Sequence, residues 1–540
     1  MALTPIQKEW ADNPSSVRVL LAVLPAFGNL PAEYFSTSPY TPNPNGSLPG
    51  VAFDGSISRP WTFRRSVGSR LMGLDGSEIG FGDIILNDTS GDKARVDLQY
   101  WGGRPIKLYW GSPNWGDVSD FIAIVAGIVD RTERNFEEVV IKLRDGIGVL
   151  DRQVLTRRYR SADVPTGDPS NAIGQFQPGT YGDVRNHPTV YLNPLSFIFG
   201  VSGNDGDVQT VRESGVVLTE GSLADWTQSA DNRTIDLDNV INAGEVTCDT
   251  HGPTAPNFNV PTVLTDLILS IEDQAGDSVF ELSDLDTKGI NEMTGGSTIN
   301  CGYFVQQDTN LIEVLDLFCD SVGAAWWINR SNQITATQVT LPSVPPVFEM
   351  TEGNISGGIS AVEATSSQNA VVLNVRVSWS DLNNSDLSPS VTEINKGNLI
   401  TNFRPVIGSS LSTDIEDGTK LDPGFDPVDD QVAPPEVAGI DTILVDDVQT
   451  RNEADRQSLI LESPRRHATV ACLQGAAQID LMDVVRLSHV NVSSFAPLRD
   501  EINNDVLGPD GAPIFDGFDV RVVDSTETYP SGSVEIIGWY

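Results

Sequence analysis

Apolar and polar residues alternate with a period of two through several short stretches of this chain. Residues 83–87 (Asp83-Ile84-Ile85-Leu86-Asn87) and 104–111 carry the pattern of a half-buried strand, and residues 121–129 and 139–143 follow as further strands between turn residues. The cleanest alternation is Val371, Leu373, Val375, Val377 and Trp379, with Asn374, Arg376 and Ser378 on the opposite face, which predicts a long half-buried strand. Residues 468–473, 484–487, 519–524 and 534–540 read as strands too. One stretch has a helical period instead: Leu311, Leu315, Phe318 and Val322 fall at i, i+4, i+7 and i+11, with Thr309 or Asn310 as cap and Gly323 as stop. Residues 324–330 and 333–337 then form a predicted hairpin through the polar turn Arg330-Ser331-Asn332. A second helix is predicted over 451–466, with Ala454, Leu459 and Leu461 inward and Pro464 as its break. Residues 17–24 form an apolar run shorter than a membrane span, preceded by Lys8, Glu9 and Asp12, and predict a first strand. With no uninterrupted run of about 18 apolar residues elsewhere, a soluble chain without a secretion address is expected.

Size and composition agree with that picture. The 540 residues exceed what one core usually holds, so three to five domains of about 100–150 residues are expected. With 39% hydrophobic residues, 48 Gly and 33 Pro, the chain suits many short strands joined by turns. The expected class is mainly β with a few short helices, a β-rich α+β protein of several antiparallel barrel or sandwich domains.

Charge narrows the partners. Against 34 basic residues stand 74 acidic ones, a formal charge of -40, which argues against a chain built to grip nucleic acid through clustered Lys and Arg. Two explanations of the acidity stand side by side: a surface past which DNA slides without sticking, or the general acidity of proteins from a saline habitat. Between 411 and 447 the acids Asp414, Glu416, Asp417, Asp422, Asp426, Asp429, Asp430, Glu436, Asp441, Asp446 and Asp447 face only Lys420. Their spread among Pro and Gly predicts a solvated loop or arm rather than a calcium loop.

Catalytic and metal-binding patterns are absent from the sequence. Cys248, Cys301, Cys319 and Cys472 form no Cys-x-x-Cys pair, so buried thiols in a reducing compartment are expected, with neither zinc nor an iron–sulfur cluster. No phosphate loop, no His-Glu-x-x-His helix and no Gly-x-Ser-x-Gly elbow occurs. Residues 284–289 begin like an EF-hand loop, but Lys288 takes a ligand position and no Glu closes it. His187, between Asn186 and Pro188, reads as a turn residue rather than a base. Trp326 and Trp327 could stack on a sugar or a base. Neighbouring strand residues face opposite sides, however, so one is expected to pack on the preceding helix and the other on a neighbouring domain or subunit. The two tryptophans are therefore the candidate packing or interface residues, and no catalytic, metal or cofactor residue is assigned.

The order of the motifs adds a family resemblance. Phe35-Ser36-Thr37-x-x-Tyr40, the strand at 82–87, Gly103-Arg104-Pro105 with its strand to Leu108, Leu143-Arg144-Asp145 and Leu150-Asp151-Arg152 occur in the order found in tail tip (baseplate hub) proteins of long-tailed bacteriophages. Residues 182–194 and 211–219 resemble the family's next segment. Residues 312–335, including Trp326-Trp327 and Asn329-Arg330, are similar to its helix, Gly, Trp-Trp and Asp-Arg unit. Asp480-Leu481-Met482-Asp483-Val484-Val485 resembles its Asp-Leu-Gly-Asp strand, with Met482 where Gly is usual.

In that family three copies form a ring that accepts the end of the hexameric tail tube and its distal adaptor and holds the central fibre. The resemblance implies a non-enzymatic virion protein at the tail tip, assembled in the host cytoplasm. It also implies a homotrimer that meets distal tail, tail tube, tape measure and central fibre proteins. Phage DNA would pass through the channel without specific binding, the chain would not insert in a membrane, and the ring would close the channel until ejection. The implied division is a tube-like domain at 1–160, a β-rich domain at 161–300, a helix and hairpin segment at 301–350 and a second tube-like domain at 351–540 with the acidic loop 411–447. A tail-associated glycan-binding or glycan-hydrolysing β-protein is the alternative.

Overall fold

Ile106, Leu108 and Trp110 are buried on one face of strand Pro105–Gly111, and this face sits at the middle of a six-stranded sheet. Across the sheet the order is Glu33–Ser36, Val19–Leu24, Pro105–Gly111, Ile122–Arg134, Glu138–Leu143 and Ile84–Asn87, all antiparallel. The run at Val19–Leu24 is continuously apolar because both of its faces are covered. Leu20, Ala22 and Leu24 enter the main core, while Val19 and Leu21 enter a small second core with Tyr40, Phe53, Val118 and Phe121.

The computed structural model describes residues 3–540 except 75, 92, 94–99, 145–149, 162–171, 194–196, 205, 222–224, 231, 239–244, 274–275, 343–344, 352, 357–358, 364–369, 377–378, 380–398, 406–439, 462–465, 474–476 and 489–517. The protein is mainly β, built of several sheets that are almost wholly antiparallel, with short helices at Pro5–Asp12, Val260–Leu269, Thr287–Glu292, Leu311–Ser321 and Asp447–Ile460. A five-stranded sheet runs Val216–Val217, Asp207–Glu213, Val246–His251, Gly179–Pro188 and Gly302–Val305, beside a four-stranded sheet made from residues 190–237. An eight-stranded sheet gathers Phe348–Thr351, Val484–Ser488, Phe518–Tyr529, Ser533–Trp539, Arg466–Cys472 and Ser360–Glu363 with Trp61–Ser66 and Glu78–Phe81.

That last pairing crosses the expected boundary at 160. Asp524 to Tyr529 pair in register with Ser66 to Trp61, so two strands from the first 160 residues belong to the sheet of the last 200 or so. The physical reason is edge cover: pairing Trp61–Ser66 with Phe518–Tyr529 satisfies backbone groups that an isolated amino-terminal unit would leave open. One hydrophobic core accordingly runs from Leu20 through Leu315 and Trp326 to Trp539.

Local expectations fare differently by element. Helix Leu311–Ser321 is capped by Asn310, whose side chain accepts from the Ile312 amide at 2.9 Å, and Leu311, Leu315 and Phe318 are buried. The helix expected over 451–466 begins at Asp447 instead, because Asp446 caps it by accepting from the Gln449 amide. Ala454 and Leu461 are buried, but Leu459 is exposed rather than inward. Of the strand expected from Val371 to Trp379, the described part is Ala370–Arg376, and residues 145–149, 166–170, 377–378 and 406–439, with most of the acidic loop, lie outside the described residues.

Candidate functional site: a buried charge cluster where distant segments meet

Strand Trp61–Ser66 places Trp61, Phe63 and Arg65 on one buried face, so a guanidinium occupies a position that alternation reserves for an apolar group. Its partners come from far along the chain. Arg65 Nη2 lies 3.2 Å from Glu527 Oε1, and Nη1 donates to Asp480 Oδ1. Arg330, in the turn of the hairpin Ala324–Ile328 and Ile334–Gln338, grips the same Glu527 with both terminal nitrogens, at 2.5 and 3.0 Å, and donates to the Ile479 carbonyl at 3.0 Å. The Tyr529 hydroxyl donates to Glu527 Oε2 at 2.6 Å. Two cations thus balance two carboxylates, and Arg65 and Glu527 are out of contact with solvent.

Burial alone would push the Glu527 carboxyl up, but the guanidiniums of Arg330 and Arg65 outweigh it and hold the group below its ordinary value. Asp480 behaves alike: burial raises it, Arg65 and Arg330 overcome that, and it stands at about 2. For Arg330 burial acts downward, and the charges of Glu527, Tyr529 and Asp480 reverse the direction. Burial and Glu527 push Tyr529 far up, so it keeps its proton and its role as donor. Such a cluster is a tie between four segments: strand Trp61–Ser66, the hairpin turn at Arg330, the loop at Asp480 and strand Phe518–Tyr529. It offers no open coordination position and no group poised to accept a proton.

The other motif residues have similar duties. Gly103 adopts a left-handed φ of +84°, and Arg104 next to it is fully buried over the Trp101 ring at 4.7 Å. Its nitrogens donate to the carbonyls of Leu24, Pro25 and Pro31, pinning the loop that joins the first two strands of the six-stranded sheet. The Tyr40 hydroxyl donates to the Trp115 carbonyl at 2.9 Å. Asp151 accepts from the Asn310 side chain, and the Leu311 amide donates to the Arg152 carbonyl at 2.9 Å, so the Leu-Asp-Arg motif docks on the start of helix Leu311–Ser321.

Trp326 is fully buried, and its indole N–H donates to Asp316 on that helix at 2.7 Å. Gly68 exchanges backbone hydrogen bonds with Trp326 and has no room for a side chain, which would meet the Ser77 amide at 2.8 Å. Trp327, opposite Thr335 in the hairpin, is also buried and joins the main core.

His187 is not a turn residue but part of strand Gly179–Pro188. Its Nε2 accepts from Thr250 Oγ1 at 2.7 Å and lies 3.2 Å from Cys248 Sγ, with the ring stacked on Phe304. The pair has the composition of a Cys-His dyad without its electrostatics. Burial pushes the thiol far up and the imidazole down to about 4, so both are neutral and shut away. The EF-hand-like acids are consumed locally: Asp284 accepts from the Glu281 amide and Asp286 caps helix Thr287–Glu292 while accepting from Thr335. All four cysteines are buried and outside any disulfide, and among the described residues no group of three or more His, Cys, Asp or Glu is placed to hold a metal.

Sequence reading overlooked Arg65 and Glu527. The available signal was a charged residue on an otherwise apolar strand face, as in Trp61, Phe63, Arg65. Arg330 and Asp480 were picked out within motifs, but nothing local indicated that they meet.

No protein-family model matches the chain, and no curated protein does. Among solved structures the chain is similar to the tail protein of Neisseria meningitidis MC58, with 8% identity, 90% of this chain and 94% of that chain covered, and a TM-score of 0.37. It is similar to the 43 kDa tail protein of prophage MuSo2 from Shewanella oneidensis, with 8% identity, coverage of 97% and 98%, and a TM-score of 0.35. The virion of a native gene transfer agent particle contains a chain 11% identical, with coverage of 73% and 91% and a TM-score of 0.41. These are loose likenesses of overall course.

Proposed function

We propose that this chain is a structural protein of a bacteriophage tail, serving as the hub of the tail tip. Three copies would form a ring that joins the end of the tail tube and its distal adaptor to the central fibre. The ring would close the channel and open it for DNA ejection. The observation that supports this reading is convergence. The motifs that carry the family resemblance lie hundreds of residues apart, yet Arg330 and Asp480 meet in one ion cluster, and Asp151 meets Asn310 at the cap of the helix that carries Asp316. A part that must keep its shape while neighbours load it needs such ties more than it needs an open cleft. The acidic balance of 74 to 34 suits a channel wall along which DNA moves without being held.

Native mass measurement and electron microscopy of the purified chain, alone and with tail tube and distal tail proteins, test this. A species of three chains with a central opening that joins those partners is expected. A lone chain that stays single at high concentration and turns over a glycan would overturn the reading.

A further inference from the structure

The large apolar side chains left exposed among the described residues include four aromatics, Phe27, Tyr100, Phe136 and Tyr191. Three of them lie toward the same end of the six-stranded sheet. Phe27 lies in the loop between Val19–Leu24 and Glu33–Ser36, which Arg104 ties down. Tyr100 precedes the turn at Gly103, whose amide donates to the Val129 carbonyl at 2.8 Å. Phe136 stands further out along the same direction, at the tip of the hairpin Ile122–Arg134 and Glu138–Leu143, roughly 20 Å beyond Asp130 by strand rise. It is 95% exposed, and Tyr100 is 87% exposed. The tip is stiff: Asn135 Oδ1 accepts from the amides of Glu137 and Glu138 at 3.1 and 2.8 Å, so the ring is offered on a fixed backbone.

The charges around this end differ from those of the chain. Arg59 pairs with Glu138, Arg131 with Asp130 and Glu133, Lys142 with Glu133, and Arg134 with Asp88, at 2.8 to 3.0 Å. Four basic groups thus meet four acidic ones in pairs and Glu137 adds a fifth acid, a near balance where the whole chain has 34 against 74. Two copies of a chain carrying -40 repel over most of their surfaces, and they can touch at least cost where charge is locally cancelled and apolar rings await cover. The alternating Arg131, Glu133, Arg134 and Glu137 can also pair with the same residues of a copy turned through a two-fold axis.

We infer that this end of the six-stranded sheet is a self-docking face, on which a second copy of the chain seats end to end through Phe136, Tyr100 and Phe27. The contact is distinct from the side-by-side contacts of a ring and does not rest on the tail reading. Because the face is nearly neutral and the rest of the chain repels, added salt strengthens the association. A charge-driven contact would weaken.

Sedimentation velocity on the full chain, at low and high sodium chloride and over about a thousandfold range of concentration, tests this. A species of twice the smallest mass is expected to grow with concentration and with salt. Phe136→Ser with Tyr100→Ser should weaken the doubling about thirtyfold or more, leaving circular dichroism unchanged, whereas Tyr191→Ser should not alter it. Absence of doubling at every salt, doubling unaffected by the double substitution, or doubling that fades with salt would each overturn the inference. Failure of the ring would instead change the smallest species.

Discussion

Arg104 illustrates how one side chain can hold a loop that has no regular structure of its own. Its planar fork reaches three carbonyls at once, which the point charge of a lysine cannot do. Arg104→Lys should therefore destabilise the chain by roughly 2 kcal/mol, read as a lower urea midpoint, because buried carbonyls lose their donor. The effect at Glu527 should be larger. Glu527→Gln leaves Arg65 and Arg330 with Asp480 as their one remaining anion in a dry site, a loss of about 3–5 kcal/mol in denaturant unfolding. Exposed Arg131, though it pairs with Asp130 and Glu133, serves as the comparison: Arg131→Ala should leave the urea midpoint unchanged.

At the scale of elements, what was legible followed from how local the cause was. The stripe Leu311, Leu315, Phe318 and its cap lie within a dozen residues, so helix Leu311–Ser321 could be read directly. Asn310→Ala should cost about 1 kcal/mol by thermal unfolding, and more if the bond to Asp151 also matters to the neighbouring segment. Helix Pro5–Asp12 was written in the sequence as Thr4-Pro5-Ile6-Gln7, a reciprocal cap with proline at the first turn, but eight residues carry too little periodicity to stand out. Helix Asp447–Ile460 starts four residues before its expected onset because Asp446, its cap, belongs by composition to the acidic run 411–447. Strand pairing was the least legible: nothing near Trp61–Ser66 announces that its partner is Phe518–Tyr529, since register across such a span is decided only when the whole core closes. The charge cluster inherits that illegibility, because four ordinary residues become a site only through pairing.

For the molecule as a whole, two sets of carboxyls pull stability in opposite directions with pH. Burial pushes Asp320 and Asp483 up to about 6, so their contribution is full below the ordinary carboxyl range and is lost as pH rises through 6. Asp480 and Glu527 are held down, so theirs is present above that range and is lost as pH falls toward 2. Unfolding midpoints should rise from pH 7 to about 5 and fall again below about 4. Asp320→Asn with Asp483→Asn should raise stability at pH 7 by roughly 2 kcal/mol for each group and flatten the upper limb, while leaving the acid limb in place. A steady fall from pH 7 to 5 would contradict the assignment. The pairing of Trp61–Ser66 with Phe518–Tyr529 also sets a timetable. Arg64 and Asp524 are 460 positions apart, so at ribosomal speeds of about 5–20 residues per second the early strand waits roughly half a minute to a minute and a half for its mate. Throughout that interval the nascent chain displays an open β-edge rich in aromatic groups, the kind of surface that chaperones recognise and that crowded polysomes can entangle.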